Sequence, residues 1–91
     1  MTMAEQSPKP IVFTAHARRR MRERGASEQH VIQAIRAGRQ EPAQRGLSLF
    51  RLNIEFQTDW DGKYYAVQQV AAVVAEEPHR LVVVTVYTSY F

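Results

Sequence analysis

Cysteine is absent from this chain of 91 residues, so disulfides and cysteine-based zinc sites are excluded. A chain without cysteine suits a reducing compartment, and we therefore expect a cytoplasmic location. Long apolar runs are also absent, since the VAAVVA of residues 70–75 is far too short to cross a bilayer. The polar N-terminal MTMAEQSPKP lacks the apolar segment of a signal peptide, and residues 1–8 are expected to form a disordered tail.

Two common functional motifs are also absent, one for phosphate binding and one for a nucleophilic serine. The chain has four glycines, and they form neither a glycine-rich phosphate loop nor a Gly-x-Ser-x-Gly nucleophile elbow. His16, His30 and His79 do not have the spacing of metal ligands, and Asp59 with Asp61 is more typical of a turn. We therefore expect neither a metal ion nor another cofactor.

Positive charge is concentrated in the first half of the chain. Residues 1–45 hold nine basic and four acidic residues, whereas residues 46–91 hold three basic and five acidic residues. Nearly all of the basic residues are arginine, which suits bidentate phosphate contacts and stacking on bases. The asymmetry predicts an anionic partner, with nucleic acid as the first candidate.

The hydrophobic pattern changes from helical spacing to alternation at about residue 46, which predicts an α+β domain over residues 9–91. In this prediction two N-terminal helices pack on one face of an antiparallel sheet, in the order β-α-α-β-β-β. The segment 39–46 contains Pro42 and Gly46 and is predicted as a loop. The first strand is expected to pair beside the last strand or a central one. The predicted elements are a strand at 10–14, helices at 15–24 and 28–37, and strands at 48–58, 63–75 and 81–91.

Local signals set the ends of these elements. Thr14 and Ser27 are predicted helix N-caps, and Gly25 is predicted to end the first helix in the left-handed conformation. Asp61-Gly62 predicts a hairpin turn. Trp60 beside this turn is either a stacking or partner contact or a cap on the sheet edge.

The first predicted helix carries one ridge of polar side chains, which we call the α1 ridge: His16, Arg20 and Arg24. Their i, i+4, i+8 spacing places them along one side of the helix, next to the apolar Ala17 and Met21. This position is the border between the packed face of the helix and solvent, where a functional side chain can be both held in place and accessible. The alternative is a structural histidine with solvated or ion-paired arginines, of which Arg24 would neutralise the end of the helix.

Three further arginines, Arg18, Arg19 and Arg22, point to the outer side of the same helix. We expect them to be solvated and to add nonspecific attraction for phosphate. Tyr87 is expected on the open face of the sheet, on the same side of the last strand as Thr85. The opposite side is the predicted core side of that strand: Val82, Val84 and Val86.

The run FTAHARRRMRERGAS resembles the signature of a bacterial family, domain of unknown function 4258. The shared pattern is Phe-[Ser/Thr]-x-His-Ala-x-x-Arg-Met-x-x-Arg-Gly over residues 13–25. That family is grouped with the RelE-like and barnase-like ribonuclease-toxin superfamily. The resemblance implies a RelE-like fold and a small metal-independent endoribonuclease, often a toxin with an acidic antitoxin partner, in some cases acting with the ribosome. Its implied catalytic residues are His16, Arg20, Arg24 and Tyr87.

The residue types suit this chemistry. Metal-free RNA cleavage needs a base for the ribose 2′-OH, cationic donors for the phosphorane and an acid for the leaving oxygen. Histidine and tyrosine transfer protons, and arginine holds phosphate. Two other functions use the same residues. One is a catalytically inactive nucleic-acid-binding module, and the other is a protein-interaction domain whose basic ridge meets an acidic partner.

Overall fold

A computed structural model describes residues 8–91, which form two helices and five strands in the order β-α-α-β-β-β-β. Residues 1–7 of the expected tail lie outside this range, and Pro8 is exposed. A 3-10 turn, Gln44–Gly46, follows the second strand. The elements are β1 (Ile11–Phe13), α1 (Ala15–Arg24), α2 (Glu28–Ala37), β2 (Arg39–Pro42), β3 (Ser48–Trp60), β4 (Lys63–Glu76) and β5 (Leu81–Tyr90).

The sheet is mixed, with the strand order β1-β5-β4-β3-β2. β1 pairs with β5 in parallel, and the remaining neighbours pair antiparallel. The predicted RelE-like fold, with an antiparallel sheet and the order β-α-α-β-β-β, is therefore wrong. Short-range sequence patterns do not contain strand direction, which depends on the path of the chain. Here β1 lies alongside the start of β5, where the Leu81 amide donates to the Pro10 carbonyl at 2.9 Å.

The segment 39–46, which was predicted as a loop, contains the strand β2, and this strand is absent from the predicted order. β2 has the sequence RQEP, which lacks the alternation of a half-buried strand and contains a proline. It pairs with β3 from Arg39 opposite Arg51 to Pro42 opposite Ser48. Proline is tolerated there because β2 is an edge strand, where a backbone N–H on the outer side has no ladder partner.

Both helices pack on one face of the sheet and share a continuous hydrophobic core with it. α1 lies on β5, and α2 lies on β3 and β4. We call the other side of the sheet the open face. The buried core residues include Ala17 and Met21 of α1, Val31, Ala34 and Ile35 of α2, and Phe50, Val70, Ala72, Val74, Leu81, Val83 and Val86 of the sheet.

An irregularity in β5 changes which of its valines are buried. Val73 of β4 pairs with Thr85, but the next residue, Val74, pairs with Val83, so Val84 is an extra residue in β5. A bulge of this kind shifts the alternation by one. The prediction that Val82, Val84 and Val86 form one core row is therefore wrong, since only Val86 of the three belongs to the core. Tyr87 is half exposed on the open face.

The predicted caps and turn are present. The Thr14 hydroxyl accepts from the Ala17 amide, and the Ser27 hydroxyl accepts from the His30 amide. Gly25 has a φ of 76°, in the left-handed region. Asp61 and Gly62 have φ values of 54° and 83°, as a two-residue hairpin turn requires.

Among residues 8–91, neither helix has the length and apolar character that crossing a membrane would demand.

Candidate nucleic-acid interface

α1 is fixed at its first residues by its contact with β5. The Thr14 amide donates to the Val83 carbonyl at 3.1 Å, and the Thr14 hydroxyl donates to the Val84 carbonyl at 3.4 Å. The same hydroxyl accepts from the Ala17 amide at 3.0 Å. Thr14 therefore joins the end of β1, the start of α1 and the bulge of β5, and it sets where His16 stands.

The other end of α1 is held by side chains from the sheet. The Arg24 carbonyl accepts from the Thr88 hydroxyl at 3.0 Å and from the Tyr90 hydroxyl. The Gly25 carbonyl accepts from the side-chain amide of Gln68 at 3.0 Å. Gln68 is fully buried. The last carbonyls of a helix lack partners within the helix, so these donors complete its C-terminus. They also fix the backbone from which the Arg24 side chain extends.

Arg24 connects the α1 ridge with the open face of the sheet. Its Nη1 donates to the Val86 carbonyl at 2.7 Å, and its guanidinium lies over the Tyr87 ring, 4.9 Å from the ring centroid. Stacking of arginine on an aromatic ring is favourable by about 0.5–1 kcal/mol at exposed sites. The structure thus brings together two of the four predicted catalytic residues, although they are 63 positions apart in the sequence.

Arg20 is engaged by an acidic neighbour. Its Nη1 lies 2.6 Å from Oε1 of Glu23, one helical turn further on. The hydrogen bond from Arg20 holds the pKa of the Glu23 carboxyl below its usual range, and the charges of Arg19 and Arg24 add to the effect. Glu23 is therefore ionised at neutral pH and offsets part of the positive charge of the α1 ridge.

The three outer arginines have different surroundings. Arg18 forms an ion pair with Glu28 at 3.3 Å and lies 4.9 Å from the centroid of the Phe13 ring. Arg19 and Arg22 are exposed, and neither takes part in the ion pairs found within residues 8–91. These two are therefore exposed arginines of α1 whose charge no ion pair within residues 8–91 offsets.

His16 is exposed in the first turn of α1. The helical rise places it about 12 Å along the axis from Arg24. Arg20, one turn after His16, is therefore nearer to it along the helix than Arg24 is. Residues four positions apart are neighbours on the surface of a helix, so the side chains of His16 and Arg20 can approach one common group.

Sequence reasoning missed two contributions to this surface. Glu23 was detectable, because it stands three positions after Arg20 and seven after His16, which places it on the same side of the helix. The hydrogen bonds by which Gln68, Thr88 and Tyr90 hold the end of α1 have no local signal in the sequence. They depend on strands that lie more than 40 positions from α1.

Trp60 has a structural role. Its ring stacks on Tyr90 with 5.7 Å between the ring centroids and an interplanar angle of 15°. It also lies so close to Gly25 that a Cβ atom there would be 2.8 Å from the Trp60 ring. Of the two predicted alternatives, the structure supports the cap on the sheet edge. Within residues 8–91, no group of three or more histidines and carboxylates is placed to hold a metal ion.

No curated protein and no solved structure matches this chain significantly. One family does match, described as Domain of unknown function (DUF4258), over residues 13–88. The matched span contains both helices, β2, β3 and β4, and most of β5. Because the match covers most of the chain, the protein belongs to the DUF4258 family.

Proposed function

We propose that the protein binds RNA through the basic surface of α1 and cleaves it without a metal ion, by attack of the ribose 2′-OH on the adjacent phosphate. The observation that carries this proposal is the contact between Arg24 and Tyr87. It joins the α1 ridge and the open face of the sheet into one accessible surface that combines cationic and aromatic groups. Proteins that bind single-stranded nucleic acid combine these two kinds of group.

The proposed roles follow from exposure and spacing. His16 transfers one of the two protons, that of the attacking 2′-OH or that of the leaving oxygen, and solvent water exchanges the other, while Arg20 stabilises the phosphorane. An exposed ion pair contributes only about 0–1 kcal/mol, so a phosphate can displace Glu23 from Arg20. Arg24 donates one N–H to the Val86 carbonyl and retains further donors for a neighbouring phosphate.

The proposal of cleavage is supported by the motif and not by the fold. The Phe-Thr-x-His-Ala…Arg-Met…Arg-Gly signature resembles a family grouped with the RelE-like ribonuclease toxins, and histidine with arginine is a suitable set for metal-free cleavage. The mixed five-stranded sheet departs from the RelE-like arrangement. A fold does not determine an activity, and the site residues carry the argument.

A catalytically inactive RNA-binding module is the second candidate, and the contacts of the arginines favour it. Arg20 donates to the Glu23 carboxylate and Arg24 donates to the Val86 carbonyl, so both arginines already have protein partners. An assay with purified RNA, with and without EDTA and with and without ribosomes, separates the two candidates. Products that end in a 2′,3′-cyclic phosphate support cleavage, and binding without products supports the module.

Replacing Arg19 and Arg22 together by alanine is expected to weaken RNA binding and to flatten its salt dependence. Each phosphate neutralised on a single strand contributes about 0.7 to the slope of log K against log salt, so the loss is at most about 1.4. Arg39→Ala, at the opposite edge of the sheet, is the control. Fluorescence anisotropy with a labelled oligonucleotide from 50 to 200 mM salt measures both slopes. A slope near zero in the parent protein would contradict RNA binding through phosphates.

Replacing Glu23 by glutamine is expected to strengthen RNA binding. The change releases Arg20 from its ion pair and steepens the salt dependence by about 0.7 if Arg20 then meets one phosphate. Glu77→Gln removes the same charge from a comparable ion pair with Arg80, in the connection between β4 and β5, and serves as the control. Equal affinities for the two variants would show that the α1 ridge does not contact the RNA.

An acidic antitoxin-like protein is the partner that this surface would accept, because concentrated positive charge is covered most simply by a chain of opposite charge. The same Arg19 and Arg22 variant tests this proposal. Co-purification of an acidic genomic neighbour with the parent and with the variant in equal yield would place that interface elsewhere.

A further inference from the structure

The open face of the sheet contains a groove beside the Arg24–Tyr87 pair. Its volume is about 450 Å³, within the range of small-ligand sites. Leu49, Val73, Val84 and Tyr87 line it from the sheet, and the segment that includes Arg45 and Leu47 lines it from the connection between β2 and β3. The groove is therefore mostly apolar, with an aromatic ring in its wall.

The β5 bulge helps to shape this groove. The bulge places Val84 and Thr85 together in its lining. Tyr87 follows two positions after Thr85 and contributes the aromatic ring of the wall.

The charges around the groove favour an anionic ligand. Arg45 lines it, Arg24 lies over the Tyr87 ring beside it, and none of the described residues that line it is acidic. Arg24 itself does not line the groove. The guanidinium of Arg24 covers part of the Tyr87 ring, and the ring also borders the groove.

We propose that this groove is a base-binding subsite, in which one nucleobase of a single-stranded RNA stacks on Tyr87 while an adjoining phosphate meets Arg24. This inference rests on the proposed RNA binding and extends it to the base. It also assigns Tyr87 a different role from the one that the family resemblance implies. In this inference Tyr87 is a stacking platform, because its ring borders the groove and lies against the Arg24 guanidinium.

The experiment compares ligands that differ only in the base. The four ribonucleoside 5′-monophosphates and ribose 5-phosphate are titrated into the protein, and backbone amide shifts are followed by NMR. Stacking on an aromatic side chain predicts that the nucleotides bind roughly 5- to 150-fold more tightly than ribose 5-phosphate. The largest shifts are expected at Val84, Thr85 and Tyr87.

Two variants and a control test the contributions of the Tyr87 ring and of the groove separately. Tyr87→Leu is expected to remove the preference for nucleotides over ribose 5-phosphate. Tyr64→Leu removes another exposed tyrosine, near the β3–β4 turn, and is expected to retain the preference. Thr85→Phe fills the groove and is expected to abolish the preference while Tyr87 is still present.

Each outcome separates this inference from the proposed function. If RNA binds with a steep salt dependence but nucleotides bind no better than ribose 5-phosphate, the base subsite is refuted and RNA binding stands. If the parent binds neither RNA nor any of these phosphates, both are refuted. If the groove resonances shift with protein concentration alone and nucleotides leave them unchanged, a second copy occupies the groove and the subsite is refuted.

Discussion

His16→Ala is expected to lower the rate of RNA cleavage by about 10²–10⁴-fold, the usual loss on removal of a general acid or base. His16 is exposed on α1 and makes no contribution to the hydrophobic core, so the variant should fold as the parent does. RNA affinity should be nearly unchanged, because the arginines supply the phosphate contacts. The loss should therefore appear in the rate at saturating RNA, measured by single-turnover cleavage of a labelled oligonucleotide.

His79→Ala is the matched control for this experiment, since His79 is also exposed and lies in the connection between β4 and β5. It should cleave at the parent rate. Activity of the parent should survive EDTA, because the attacking nucleophile is the ribose hydroxyl and the cations are arginines. If His16→Ala and His79→Ala cleave equally fast, or if EDTA abolishes cleavage, the proposed mechanism is wrong.

Gly25→Ala is expected to produce the largest loss of stability among these variants. A residue with a Cβ pays about 1–2 kcal/mol for the left-handed conformation that Gly25 adopts at a φ of 76°. The new Cβ would also lie 2.7 Å from the Tyr90 hydroxyl and 2.8 Å from the Trp60 ring, and crowding of this kind costs about 1–3 kcal/mol. The free energy of unfolding should therefore fall by about 2–5 kcal/mol, a large part of the stability of a small domain.

Gly46→Ala provides the control, because Gly46 has nearly the same φ, 74°, with no atom within 4 Å of the added Cβ. Urea denaturation of both variants separates the two costs. Gly46→Ala reports the backbone cost alone, and the difference between the variants reports the crowding by Trp60 and Tyr90. Equal losses would show that the ring of Trp60 does not pack against the end of α1. Since Gly25 follows Arg24 directly, the folded fraction of Gly25→Ala should also bind RNA more weakly.

The positions of the α1 ridge residues could be predicted from the sequence, whereas the position of Tyr87 relative to them could not. The α1 ridge is contained in ten consecutive residues, so helical spacing alone places His16, Arg20 and Arg24 on one side. The ion pair between Arg20 and Glu23 follows from the same spacing. Tyr87 is different, because its place next to Arg24 depends on how α1 lies on β5. The alternation of β5 put Tyr87 on the open face but could not show which helical residue it meets.

The groove illustrates a second limit of sequence patterns. Strict alternation along β5 assigned Val84 to the core, but the bulge opposite Val73 and Val74 moves it to the open face. A bulge is a property of the pairing between two strands, and the sequence of β5 alone does not contain it. The segment that includes Arg45 lines the groove only because β2 pairs with the start of β3.

Local sequence is enough to specify the features that depend on neighbours within about four residues. These are the Thr14 and Ser27 caps, the left-handed Gly25 and the Asp61-Gly62 turn, in which local hydrogen bonds and allowed backbone angles select the residue type. Four other features depend on tertiary packing: the parallel pairing of β1, the existence of β2, the bulge at Val84 and the contact of Arg24 with Tyr87. Each of these joins segments far apart in the chain, and their relative positions are set by the shared core of helices and sheet.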